Sequence, residues 1–170
     1  YNKGGEFRKW YGNYSLLVNW YRNGEELKNF QSTLNQGWHV RLKSREYYFR
    51  ESITWSFISS AYFGVRYSDP GFIFDVAGSS IFPNKNEIYY YLGFLCSKLS
   101  SIFLKIINPT LNFQVENVAK LPIINTDKTR KDEISSLVSK CIEISKNDWD
   151  SKEFSWNFKR SPLVNPHCQF

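Results

Sequence analysis

The sequence predicts an α/β (α+β) chain, with a twisted mixed or antiparallel sheet packed against one long buried helix. Three observations predict it. Short runs of β-branched and aromatic residues lie between turn signals in the first half. A long central stretch repeats its apolar residues at three and four. A more polar amphipathic stretch follows, after which periodicity is lost. At 170 residues the chain is long enough to bury a real core as one domain.

Taken in order, "KGGEFRKWYGN" reads as an extended entry in which two glycines lead into alternating charge and aromatics. "YSLLVNWYRNGEELKNF" predicts a strand over 15–21, a turn at Asn23–Gly24, and then a short polar helix or second strand. "SREYYFRESITWSFISSAYFGVRYS" holds two candidate strands, one around Ile53, Trp55, Phe57 and Ile58, with Gly64 free to turn or bulge. Asp69-Pro70-Gly71 is a turn, and "GFIFDVAGSSIFP" predicts a buried strand ending near Ala77–Gly78. The clearest helix spans 86–107, with Ile88, Tyr91, Leu92, Leu95, Cys96, Leu99, Ile102, Phe103 and Ile106 on its apolar stripe and Asn108-Pro109 as its stop. "NFQVENVAKLPII" predicts a loop and a short strand over 119–124. A second helix over 130–146 is capped by Thr129 with Asp132 and Glu133. The remainder is irregular, with Trp149, Phe154, Trp156 and Phe158 spaced for packing on another surface.

Aromatic content of 18% exceeds what a core of this size needs, which points to rings at a working surface. The formal charge is +6, and its location matters more than its size. Residues 1–66 carry ten Lys/Arg against five acids, while 67–125 balance at four each and 126–170 carry eight against seven. This predicts one electropositive face. Four of those ten are arginines between positions 41 and 66, the residue type suited to phosphates and base edges. Cys96, Cys141 and Cys168 show no metal-ligand or disulfide spacing, so a reducing, cytoplasmic setting is expected. The apolar run around "YYYLGFLCSKLSSIFLKII" is broken by lysines and serines and reads as a buried helix, not a membrane span. A chain with Tyr at position 1 and no Met reads as a piece of something longer.

Catalytic constellations are not legible. His39 and His167 have no nucleophile marked beside them, and Glu26-Leu27-Lys28 and Asp150-Ser151-Lys152 occur as often as chance allows. Asn108-Pro109-Thr110 and Asn165-Pro166-His167 begin like the clamp for an extruded adenine but fail at the third residue. Ala77-Gly78-Ser79-Ser80 is too short for a phosphate cradle. No catalytic, cofactor or metal residue is therefore assigned. What remains is binding of double-stranded DNA, in which cations neutralise phosphates and Arg or polar side chains read base edges. The candidates are Lys3, Arg8, Lys9, Trp10, Arg41, Lys43, Arg45, Arg50, Ser52, Thr54 and Arg66. The competing reading is a protein-interaction module that holds a partner subunit or an inhibitor through the helix at 130–146 and the aromatic tail.

The ordered segments "KGGEFRKWYGN", "VNW", "SITWSFISSAYFGVRY", "GFIFDVAGSSIF", "YYLGFLCSKL", "INPTLNFQVENVAKLPI" and "NDWDSKEFSWNF" resemble the C-terminal part of the PglX family. These are large adenine-specific DNA methyltransferases of bacteriophage-exclusion (BREX) systems, with relatives among restriction-modification enzymes. The resemblance implies a DNA target-recognition domain over 1–125, a connecting amphipathic helix over 126–147, and a linking tail over 148–170. It also implies a separate S-adenosylmethionine-dependent catalytic domain in the same parent chain, and possible contact with other defence-system subunits. The family's catalytic residues lie outside this chain, so none is carried over.

Overall fold

The structure, a computed structural model, describes residues 1–34, 37, 39, 42–59 and 62–164. Arg41, the Asn165-Pro166-His167 tripeptide and Cys168 lie outside the described residues. The class is the expected one: helices packed with a small antiparallel sheet. Strands β1 (Ser52–Trp55), β2 (Val65–Ser68) and β3 (Ser80–Ile81) pair in the order β2-β1-β3.

The register sorts the residues onto two faces. Ile53 opposes Tyr67 and Trp55 opposes Val65, so four large side chains share one face. That face joins the core with Leu92 and Leu95 from helix α2 (Ile88–Leu95). Helix α5 (Lys128–Asp150) packs along α2 and adds Val138, Ile142 and Trp149. The approach is close at Gly93, where a Cβ would meet Val138 Cγ2 at 2.9 Å.

The opposite face pairs Ser52 with Ser68 and Thr54 with Arg66, and it is buried as well. The N-terminal segment and residues 75–79 roof it. Asn2 donates from Nδ2 to Ser68 Oγ at 2.9 Å, Gly5 N donates to Ser56 Oγ at 3.0 Å, and Thr54 Oγ1 donates to Ser79 O at 3.1 Å. Trp10 closes the outer edge of β2 by donating to Val65 O and accepting from Tyr67 N, both at 2.8 Å. A β-sheet edge thus gains a partner from the glycine-led entry segment.

Five sequence expectations are corrected. Residues 15–21 form no strand. Leu16 and Leu17 are 45% and 70% exposed, so the apolar alternation there has no ladder to join. Instead Arg22, Asn23 and Gly24 take left-handed conformations at the start of α1 (Tyr21–Thr33). Over 71–78, where "GFIFDVAG" predicts a strand, only Phe74 bridges, to Asn2. Asp75 Oδ1 then accepts from Ala77 N and Gly78 N, winding Val76–Gly78 into a 3-10 turn before β3.

The long helix is two helices, α2 and α3 (Lys98–Ile107), bent by 67°. Ser97 is extended, and its Oγ accepts from Ser100 N at 3.2 Å, starting a new helix where the old one stops. Residues 119–124 form no strand; helix α4 (Val115–Ala119) precedes an irregular stretch anchored by buried Leu121. The cap of α5 is Asp127, whose Oδ1 accepts from Arg130 N at 3.0 Å, and not Thr129. Among the described residues no single helix is long and apolar enough to cross a membrane.

Candidate nucleic-acid interface

The loop that enters β1 is built on unusual backbone. Ser44 is left-handed, Arg45–Tyr47 form a 3-10 turn, and Phe49 has φ +63°, a conformation that a bulky residue rarely adopts. Two hydrogen bonds hold it: Phe49 N donates to Phe72 O at 2.8 Å, and Gly71 N donates to Phe49 O at 3.1 Å. The turn at Asp69–Gly71 therefore serves as the loop's anchor. Rings complete the platform. Tyr48 is buried against Phe74 and Trp20, with centroids at 5.3 and 5.5 Å, and Phe74 packs on Phe82. Trp20 also covers Gly24, where a Cβ would sit 3.1 Å from the indole, so the left-handed turn and the loop share one support.

This platform presents charge outward. Arg50 is exposed and lies over the rings of Tyr47 and Phe82, at 5.2 and 5.7 Å. The neighbouring Glu51 carboxylate accepts from the Tyr67 hydroxyl, which turns that acid to the sheet and away from Arg50. Arg45 donates from Nη2 to Asn23 Oδ1 at 3.2 Å. Lys43 is exposed, and among the described residues neither it nor Arg50 joins an ion pair. Tyr47 and Phe49 are 38% and 43% exposed beside these cations. Sequence reasoning missed those two rings, and it missed Tyr21, Arg22 and Asn23, which the fold brings to the same corner. The signal was present in "WYRNG", an aromatic, a cation and an amide next to a turn glycine.

The remaining candidates go elsewhere. Lys3 is exposed beside Gly78. Arg8 pairs with Asp148 and lies 5.0 Å over Trp149, and Lys9 donates to Cys96 O at 2.7 Å. Trp10 is committed to the sheet edge. Ser52, Thr54 and Arg66 are 2%, 0% and 1% exposed, so their side chains do not reach a surface and leave the set of direct contacts. Alternation in β1 and β2 points them at the roofed polar layer. The described candidates thus occupy five places: an outward loop corner, a seam with α2 and α5, the outer edge of β2 at Trp10, the exposed position of Lys3, and the interior.

The chemistry of the rest is structural. Among the described residues no group of three or more His, Cys, Asp or Glu is placed to hold a metal. Burial pushes the Cys96 thiol up to about 12, which keeps it protonated. The glycine-serine stretch at Ala77–Ser80 is filled by the chain itself, because a Cβ at Gly78 would lie 2.3 Å from Asn2 O.

No protein-family model matches the chain. It is 41% identical over 169 residues to the adenine-specific methyltransferase PglX of Lacticaseibacillus casei (strain Zhang), covering 96% of this chain and 14% of that protein. It is 36% identical over 165 residues to the adenine-specific methyltransferase BrxX of Escherichia coli O9:H4 (strain HS), covering 95% of this chain and 13% of that protein. The chain therefore spans about one-seventh of the length of the curated relatives it matches. Matched over 95% or more of its length at this identity, it belongs to the PglX/BrxX family of adenine-specific methyltransferases as one segment of such a protein.

Proposed function

We propose that this chain reads DNA sequence for an adenine-N6 DNA methyltransferase of a phage-defence system. It holds a duplex against a catalytic domain elsewhere in the same polypeptide, and that domain takes S-adenosylmethionine as methyl donor in the cytoplasm. The single observation that supports this reading best is the loop before β1. Its backbone is pinned at Phe49, and it carries Lys43, Arg45 and Arg50 beside two exposed rings. Cations on a rigid element meet both needs of duplex recognition: neutralising phosphates and aiming a guanidinium at a base edge. Exposed rings next to them add contact area at low entropic cost.

The test is methylome sequencing of cells carrying the full-length protein with Arg45→Ala or Arg50→Ala. A lost base contact costs about 1–3 kcal/mol, so occupancy of the methylated motif falls by roughly tenfold or more, or the motif relaxes at one position. Lys43→Ala lowers occupancy without changing the motif, as a phosphate contact does. An unchanged motif and unchanged occupancy for all three variants would remove the assignment.

A further inference from the structure

Helix α3 is apolar on two sides. Its inner side places Leu104 in the core, with Phe103 and Ile107 packed against it. Its outer side carries Leu99, Ile102 and Ile106 at spacings of three and four, and these are 41%, 55% and 73% exposed. These three belong to the apolar stripe read from the sequence as core. The bend at Ser97 turns that stripe outward, so among the described residues it has no core to enter. A helix with an apolar stripe on each of two sides asks for cover on both.

The patch continues past the helix. A cavity of about 290 Å³ lies between Tyr62, Ser101, Lys105, Asn108 and Leu111, with Tyr62 and Leu111 both 58% exposed on its rim. Exposed Ile58 sits beside it through its bridge to Asn112. The charge here is one-sided. Residues 98–125 contain Lys98, Lys105 and Lys120 against the single acid Glu116. Lys105 lies 5.7 Å over the Tyr62 ring and joins no ion pair among the described residues.

We infer that the outer face of α3 and the adjoining cavity are the seat of another segment of the same methyltransferase polypeptide. That segment brings an apolar side chain for the cavity and a carboxylate for Lys105. The relatives supply the reason to choose this occupant: about six-sevenths of their length lies outside the matched stretch and is covalently tethered to it. Tethering raises effective concentration, so a patch of this modest size is enough for stable docking in cis.

The experiment uses the full-length protein with the photo-crosslinker p-benzoylphenylalanine at Ile106, followed by digestion and mass spectrometry. The expected product joins position 106 to a peptide of the same molecule outside residues 1–170, with the protein still running as one chain. A crosslink to a second copy or to a different protein overturns the proposal, and so does failure to crosslink. A second measurement guards against a reactive-position artefact. The double variant Ile102→Ser/Ile106→Ser lowers the unfolding temperature of the full-length protein by on the order of 3 °C or more. Leu163→Ser, at a site 81% exposed here, leaves it unchanged. Equal effects at the two sites would count against docking. None of these residues belongs to the loop before β1, so this failure and failure of the DNA-reading proposal are distinguishable.

Discussion

Arg66 is the costliest residue of the sheet. It is 1% exposed, its Nε has no partner, and its Nη1 reaches Ser56 Oγ only at 3.5 Å. Among the described residues no carboxylate pairs with it. Burying an unpaired charge works against folding, whereas the long side chain fills space that the layer needs. Two substitutions separate these contributions. Arg66→Ala leaves a cavity above β1 and is expected to cost about 2–4 kcal/mol in urea unfolding. Arg66→Met keeps most of the volume and drops the charge, so its unfolding midpoint lies well above that of Arg66→Ala. If the two variants lose equal stability, the guanidinium itself organises the layer and the packing account fails. A strand arginine next to an aromatic looks the same in sequence whether it faces a groove or a roofed layer. What decides is the segment 1–14, whose docking over the sheet no local pattern announces.

At the scale of elements, strands β1 and β2 and helices α2 and α5 were legible because each follows local periodicity. Ile53 and Trp55 alternate with Ser52 and Thr54, and Val138 and Ile142 keep helical spacing. What was not legible is the change of phase inside one apolar run. Ile88, Leu92, Leu95 and Cys96 face the core, but after Ser97 the inward positions become Ser100 and Leu104. Periodicity alone reads straight through this break, since every residue after it still fits the stripe. Ser97 is the element that resets the phase. Ser97→Ala removes the bond to Ser100 N and should cost about 1 kcal/mol, or roughly 2–4 °C in unfolding temperature for a chain of this size. Ser97→Asp keeps an acceptor at the cap and holds the native value. A Ser97→Ala variant as stable as the native chain would mean that packing alone sets the bend. In the candidate site, likewise, the cations were legible by residue type. The left-handed Phe49 and the shared Trp20 support were not, because both depend on contacts between distant segments.

At the scale of the whole molecule, the N-terminal fourteen residues act as a strap, and the groups that fasten it set the pH range of the fold. The Arg8 guanidinium, by hydrogen bonding, holds the Asp148 carboxyl below its usual range. Folding therefore gains from that pair above about pH 4 and loses the gain as pH falls through the lowered value. Tyr11, Tyr14 and Tyr67 are pushed up, chiefly by burial, and the hydroxyl of Tyr14 donates to Tyr67 O. Their contribution is complete below about pH 10 and is lost as pH rises beyond it. The unfolding temperature should thus stay level from about pH 5 to 9 and fall on both sides. Tyr14→Phe lowers the plateau by removing a hydrogen bond but makes the alkaline fall shallower, since one buried phenol no longer titrates. Arg8→Met weakens the strap and makes the acid fall shallower. In the full-length protein Arg8→Met is expected to leave the methylated motif intact, because Arg8 pairs with Asp148 of α5. Thermal unfolding from pH 3 to 11 checks both limbs. A steady decline between pH 7 and 9 would assign control of the fold to groups other than these tyrosines and this ion pair, and the strap would lose its role.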